Sequence, residues 1–211
     1  MEKRITGRTG MFCLIGTPVG HSGPPAMYNY SFAQTGLDYA YLAYDVPLEK
    51  TEEAVNALKV LGCKGFNVTM PCKTRVAELV DEFSDAAKLI GACNTVVVKD
   101  GKLYGNNTDG MGFVRNLKEN GVDVKGKKIT VMGAGGAATA IQVQCALDGA
   151  KKLSIFNRKD EFYANGEKTV KKIQQMVPDC EVSIHPLEET DALYAAIKDS
   201  DILVNATKVG M

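Results

Sequence analysis

The chain has 211 residues, 45% of them hydrophobic, and its 25 Lys plus Arg balance 25 Asp plus Glu, so it carries no electrostatic footprint of a nucleic-acid binder. A polar start (Met1-Glu-Lys-Arg-Ile-Thr-Gly7) and the absence of any run of ~18 apolar residues exclude a signal peptide and a membrane span, and the expected location is the cytoplasm. The two His exclude a site built from several imidazoles, and the 6 Cys form no C-x-x-C pair and read as reduced packing residues, so no metal is expected.

In chain order, Met11–Ile15 is predicted as a strand. The turn Gly16-Thr-Pro-Val-Gly20 leads from it to His21-Ser22, and a helix over residues 25–34 stops at Gly36. A second strand follows over 39–46, a helix over 48–61 ended by Gly62, and a third strand over 65–69 running into Met70-Pro71, with Pro71 suited to a first helical position. Ser84 can cap a helix over 85–90. Residues 94–98 and 102–104 flank Asp100-Gly101, a strong hairpin signal. The helix over 110–119 and the polar stretch after it form the boundary, giving predicted domains of residues 1–110 and 111–211.

Beyond the boundary, Ile129–Met132 is a strand, Gly133-Ala134-Gly135-Gly136-Ala137-Ala138 a glycine turn, and 139–147 a helix. A pyrophosphate needs a turn clear of side chains, a helix N-terminus with outward N–H groups, and a small third residue for close helix–strand packing. Gly133, Gly135 and Ala138 meet those needs. Strands over 152–156, 181–184 and 201–205, alternating with helices over 161–177 and 191–198, complete a βαβαβαβ series, one half or more of a doubly wound sheet. At the end of its second strand, where the ribose is read, stand Asn157-Arg158-Lys159-Asp160. Arg158 and Lys159 suit NADP, Asp160 suits the ribose of NAD or a helix start, Asn157 suits either ribose, and Phe162 suits the adenine.

Three polar clusters in the first half fall at strand-to-loop transitions: His21-Ser22, Asn67 to Lys73, and Asn94-Thr95 with residues 106–110. Uncharged groups such as Ser22, Thr69 and Asn94 suit a polyhydroxylated ring, and Lys73 with Asp109 can form a proton-transfer pair. Each cluster also has a purely local reading: Ser22 starting a helix, Thr69 capping one, and residues 106–109 as a turn capping the next.

Six co-linear segments, Gly16-x-Pro18-x-x-His21-Ser22, Asn67-Val-Thr-Met-Pro-Cys-Lys73, Gly91-Ala-Cys-Asn94-Thr95, Asn107-Thr-Asp-Gly110, Gly133-Ala-Gly-Gly-Ala137 and Asn205-Ala-Thr-x-x-Gly210-Met211, resemble the shikimate/quinate 5-dehydrogenase family. The stretch Phe156-Asn-Arg-Lys-Asp-Glu-Phe162 is similar to the branch that accepts quinate and shikimate and can use NAD. The resemblance implies an α/β fold with an N-terminal substrate-binding domain and a Rossmann-type NAD(P)-binding domain. It implies reversible NAD(P)-dependent oxidation of shikimate or quinate to the 3-dehydro ketone by a monomer or homodimer.

Lys73 and Asp109 would be the catalytic pair; Ser22, Asn67, Thr69, Lys73, Asn94 and Asp109 would line the substrate pocket. Gly133, Ala134, Gly135, Gly136, Ala137, Asn157, Arg158, Asp160, Phe162 and Thr207 would hold NAD or NADP. Two departures stand out. Pro24 occupies the place of a second carboxylate-binding serine, and the chain stops where the family continues. The expectation is a C-terminally truncated member with an incomplete Rossmann domain, either an enzyme or a catalytically silent substrate- or dinucleotide-binding fragment.

Overall fold

A computed structural model describes residues 5–209; the predicted motif positions Gly210 and Met211 lie outside the described residues. The chain divides into two compact units, Met1–Asn106 and Asn107–Met211. Among the described residues no helix is long and apolar enough to cross a membrane.

The first unit comprises β1 (Gly10–Gly16), α1 (Pro24–Thr35), β2 (Tyr39–Asp45), a 3-10 turn (Leu48–Lys50), α2 (Thr51–Val60), β3 (Gly65–Val68), α3 (Lys73–Ala77), β4 (Glu82–Phe83), α4 (Asp85–Ile90), β5 (Thr95–Lys99) and β6 (Lys102–Asn106). Its sheet has the order β2-β1-β3-β5-β6-β4. β1 runs parallel to β2 and β3, whereas β5 is antiparallel to β3 and β6. Alternation along β1 sorts the core onto two faces. Cys13 and Ile15 join Val55, Leu58, Phe66 and Val76 on one side, while Leu14 joins Tyr41, with Tyr28 and Phe32 of α1, on the other. Full burial of a side chain such as Ile15 contributes about 1.5–3 kcal/mol.

The local signals for this unit act where expected except at Pro71, Ser22 and Thr69: α1 and α3 begin after Gly23 and Cys72 with no side-chain cap, so neither Ser22 nor Thr69 caps a helix. Gly36 ends α1 in the left-handed region and Ser84 Oγ accepts the Ala87 N–H at 3.2 Å as the N-cap of α4. Asp100 and Gly101 have φ of 52° and 76°, the pair of positive angles a type I′ hairpin turn needs. Pro71 is not in the first turn of a helix. The Cys72 N–H closes a turn on the Thr69 carbonyl at 3.0 Å, so α3 starts only at Lys73 with Cys72 as its cap residue. Pro24 does take a first-turn position, in α1, where a missing N–H costs nothing.

The second unit comprises α5 (Asp109–Glu119), β7 (Lys128–Met132), α6 (Gly136–Leu147), β8 (Lys152–Asn157), α7 (Glu161–Met176), β9 (Glu181–Pro186), α8 (Thr190–Asp199) and β10 (Ile202–Asn205). Its four strands are all parallel in the order β10-β7-β8-β9. The first strand therefore lies between the second and the fourth, the expected half of a doubly wound sheet. A parallel sheet buried on both faces needs continuous apolar strands, and Leu153, Ile155 and Phe156 of β8 are at most 1% exposed. α6 is apolar nearly all round because α5 covers its other side. Gly110 of α5 comes so close that an added Cβ would stand 2.2 Å from the Ala140 carbonyl oxygen. All six cysteines are buried and free.

Candidate active site

In the first unit, the C-terminal ends of β1 and β3 and the N-terminal end of the antiparallel β5 lie side by side at one end of the sheet. The family-matched residues stand there. Gly16 has φ +148°, and a Cβ on it would meet Thr69 Cγ2 at 2.4 Å and the Met70 oxygen at 2.7 Å. Only glycine lets the loop after β1 press against the loop after β3 in this way. The half-buried Ser22 follows on that first loop, its N–H bonded to the Val19 carbonyl at 3.0 Å. Thr69 is fixed by its N–H to the Ile15 carbonyl at 2.9 Å. The Lys73 carbonyl accepts the Cys93 N–H at 3.0 Å, which ties the start of α3 to the residue before Asn94.

Side-chain hydrogen bonds then connect the cluster. The Tyr41 hydroxyl donates to Asn67 Oδ1 at 2.7 Å. Asn67 Nδ2 donates to Thr95 Oγ1 at 3.1 Å and to the Asn94 carbonyl at 3.3 Å, and Thr95 Oγ1 donates to Asn94 Oδ1 at 2.9 Å. Tyr41 is itself held by stacking on Tyr28, ring centroids 4.6 Å apart. Burial, and then the neighbouring Tyr28, push its phenol well above the usual range, so Tyr41 stays a neutral donor and fixes the Asn67 amide. Burial likewise pushes the Cys93 thiol up to about 11. The cluster thus presents oriented, uncharged polar groups, with the backbone of Lys73 tied to the residue before Asn94, the chemistry that suits a ring bearing several hydroxyls.

Among the predicted substrate residues, Ser22, Asn67, Thr69, Lys73 and Asn94 belong to the first unit. Asp109 opens α5 of the second, its N–H donating to Asn107 Oδ1 at 3.2 Å. Tyr41 and Thr95 were missed as orienting groups. The available signal was a phenol and a hydroxyl at strand positions beside the polar motifs.

In the second unit the glycine turn caps the carboxyl end of β7. Gly133 has φ +115°, and a Cβ there would lie 2.9 Å from the Ala206 oxygen, so the turn is pressed against the segment after β10. Nothing stands within 4 Å of the Cβ positions of Gly135 and Gly136, and no side chain caps the 12-residue α6 that starts there. An uncapped helix N-terminus opening on clear space at a strand's carboxyl end is what a dinucleotide pyrophosphate requires. The residues present therefore fit that group.

The ribose-reading segment is more committed than its sequence implies. Asn157 Oδ1 accepts the Ala134 N–H at 3.1 Å, and its Nδ2 donates to the Arg158 carbonyl at 2.7 Å and to Asp160 Oδ1 at 2.9 Å. Asp160 also accepts the Phe162 N–H at 2.9 Å as the N-cap of α7. Arg158, Lys159 and Phe162 are exposed. Thr207 closes a local turn, donating from Oγ1 to Asn205 Oδ1 at 2.7 Å.

An α/β chain with a mixed-sheet unit carrying a polar cluster at its strand ends, followed by a parallel Rossmann-type unit with an open glycine turn, has the parts of a nucleotide-linked dehydrogenase. Comparison with known proteins narrows this. Residues 14–96 match the family model described as the shikimate dehydrogenase substrate binding domain. The chain is 51% identical, over its full length, to 72% of a shikimate dehydrogenase (NADP(+)) of Listeria monocytogenes serotype 4b. It superposes on the crystal structure of shikimate 5-dehydrogenase from Listeria monocytogenes in complex with shikimate and NAD with a TM-score of 0.97 and 50% identity, covering 100% of this chain and 73% of that one. The ligand-free 5-ketofructose reductase of a Gluconobacter strain is also similar, with a TM-score of 0.86 and 32% identity, covering 98% of this chain and 72% of that one. The chain belongs to the shikimate dehydrogenase family.

Proposed function

We propose that this chain is an oxidoreductase that oxidises the secondary alcohol of shikimate reversibly to the 3-dehydro ketone with NADP or NAD. The observation that supports this most is the Tyr41–Asn67–Thr95–Asn94 chain of hydrogen bonds beside Lys73, in a sequence half identical to shikimate dehydrogenases. In this reading residues 1–110 bind the substrate and residues 111–211 bind the dinucleotide. Ser22, Asn67, Thr69 and Asn94 hold the ring hydroxyls and carboxylate, while Lys73 and Asp109 act as one proton-transfer pair. When bound, the nicotinamide supplies the two-electron hydride acceptor. In ketone reduction the Lys73 ammonium donates a proton to the developing alkoxide; in oxidation the pair removes the hydroxyl proton.

Gly133, Ala134, Gly135, Gly136 and Ala137 would cradle the pyrophosphate, with Asn157, Phe162 and Thr207 around the rest of the dinucleotide. Because Asp160 is engaged as a helix cap, the exposed Arg158 and Lys159 favour a 2′-phosphate, and NADP is the preferred cofactor. Initial rates with shikimate or quinate, each with NADP⁺ or NAD⁺, test the reading. Turnover of shikimate with NADP⁺ above the other three combinations is expected, and no dinucleotide reduction in any combination overturns it. Quinate, which differs from shikimate by water added across the ring double bond, is the second substrate expected. Pro24 leaves Ser22 without a hydroxyl partner two residues on, so Pro24→Ser should lower the Michaelis constant for shikimate.

A further inference from the structure

Gln142 lies in the middle of α6 and is 0% exposed. Its Nε2 donates to the Gly133 carbonyl at 2.9 Å, and its Oε1 has no hydrogen-bond partner among the described residues. A buried acceptor left unpaired destabilises the fold, and a leucine or methionine of similar bulk would avoid that cost. Packing therefore does not account for a glutamine here; the bond to the glycine turn does. From the other side, Asn165 of α7 donates from Nδ2 to the Ala134 carbonyl at 3.1 Å and to Thr139 Oγ1 at 3.3 Å. Asn157 at the end of β8 takes the Ala134 N–H. Three amide side chains from three elements thus hold the peptide groups of Gly133 and Ala134, immediately before the residues whose surroundings are open.

A carbonyl oxygen that rotated toward a bound pyrophosphate would repel it, whereas the N–H groups that follow attract it. We propose that Gln142 and Asn165 are positioning residues that keep the Gly133 and Ala134 carbonyls turned away from a bound pyrophosphate and thereby set the affinity for the dinucleotide. Gln142 is wholly buried and acts through the turn. The inference rests on the dinucleotide reading given above.

Calorimetric titration of the full chain with NADP⁺, and separately with shikimate, tests it in wild type, Gln142→Met and Asn165→Leu, with Tm measured for each. Gln142→Met is expected to weaken NADP⁺ binding about tenfold, the loss of one well-placed hydrogen bond. Its Tm should stay about level, because one unpaired buried acceptor, Oε1, is exchanged for another, the Gly133 carbonyl, and its shikimate affinity should not change. Asn165→Leu, at the surface and tolerant of substitution, should weaken NADP⁺ about threefold. Unchanged NADP⁺ affinity in both variants overturns the inference and leaves the dinucleotide reading intact. Parallel loss of Tm and of both ligands reduces the residues to a structural role and also overturns it. A wild-type chain that binds no NADP⁺ overturns the dinucleotide reading itself, and the inference with it.

Discussion

Amide side chains do different work in the two units. In the first, Asn67 and Asn94 bond to Tyr41 and Thr95, so that side chains orient other side chains at the strand ends. In the second, Asn157, Gln142 and Asn165 bond to the backbone of residues 133 and 134, leaving a surface made of main chain. A polyol differs from its relatives in where its hydroxyls stand, so recognising one takes side chains of defined direction. A pyrophosphate is the same in every dinucleotide, and bare backbone at a helix start suffices for it. The first site should therefore be sensitive to lost functional groups and the second to added bulk.

The largest effect that separates the two is expected from Lys73→Ala. Turnover should fall roughly a thousandfold, the range for loss of a general acid, while NADP⁺ binding measured by calorimetry stays within a factor of about two; equal loss of both would merge the roles of the two units. Next is Gly135→Asp. The residue has φ −76° and ψ −178°, which any amino acid adopts, and nothing lies within 4 Å of its Cβ. Tm should hold, while NADP⁺ affinity falls about a hundredfold because bulk and charge enter the phosphate site. A third test stays in the first unit. Asn67→Leu should raise the Michaelis constant for shikimate about tenfold, and Tyr41→Phe, which removes only the orienting hydroxyl, about threefold. Neither should alter NADP⁺ affinity.

Helix caps give a smaller contrast. Ser84→Ala and Asp160→Ala each remove an N-cap acceptor, at a cost of about 1 kcal/mol in denaturant unfolding. Ser84 should cost more, because it is half-buried whereas Asp160 is exposed. The smallest effect concerns acid. The Lys128 ammonium holds the Asp199 carboxyl below its usual range, and the Lys128 backbone N–H does the same for Asp201. Their stabilising contribution is present above the unfolded carboxyl value of about 3.9 and is lost as pH falls through the folded values. Acid titration monitored by circular dichroism should show this loss only below about pH 4, and less at high salt.

The second unit was the more legible in sequence. Its strands are short apolar runs between amphipathic helices, and its glycine turn has a fixed position after the first of them, so the order of elements determines the crevice. In the first unit the strands and the hairpin at Asp100-Gly101 were equally plain. The orienting bonds were not, because Tyr41 and Asn67 are 26 residues apart in sequence and meet only through the parallel pairing of β2, β1 and β3. Pro71 was misplaced because the turn closed by Cys72 on Thr69 precedes the helix. Gln142 reads as an exposed position because it is one of two glutamines in an otherwise small and apolar helix, whereas α6 has almost no exposed face.

The most direct test of the account is the fate of the hydrogen on the alcohol carbon. Shikimate deuterated at the ring carbon whose hydroxyl becomes the ketone would be incubated with the chain and NADP⁺, and the reduced nicotinamide examined by mass spectrometry. Deuterium carried into the reduced nicotinamide is the predicted result, since hydride passes from substrate to cofactor without exchange. Reduced nicotinamide lacking the label, or none at all, would contradict the assignment.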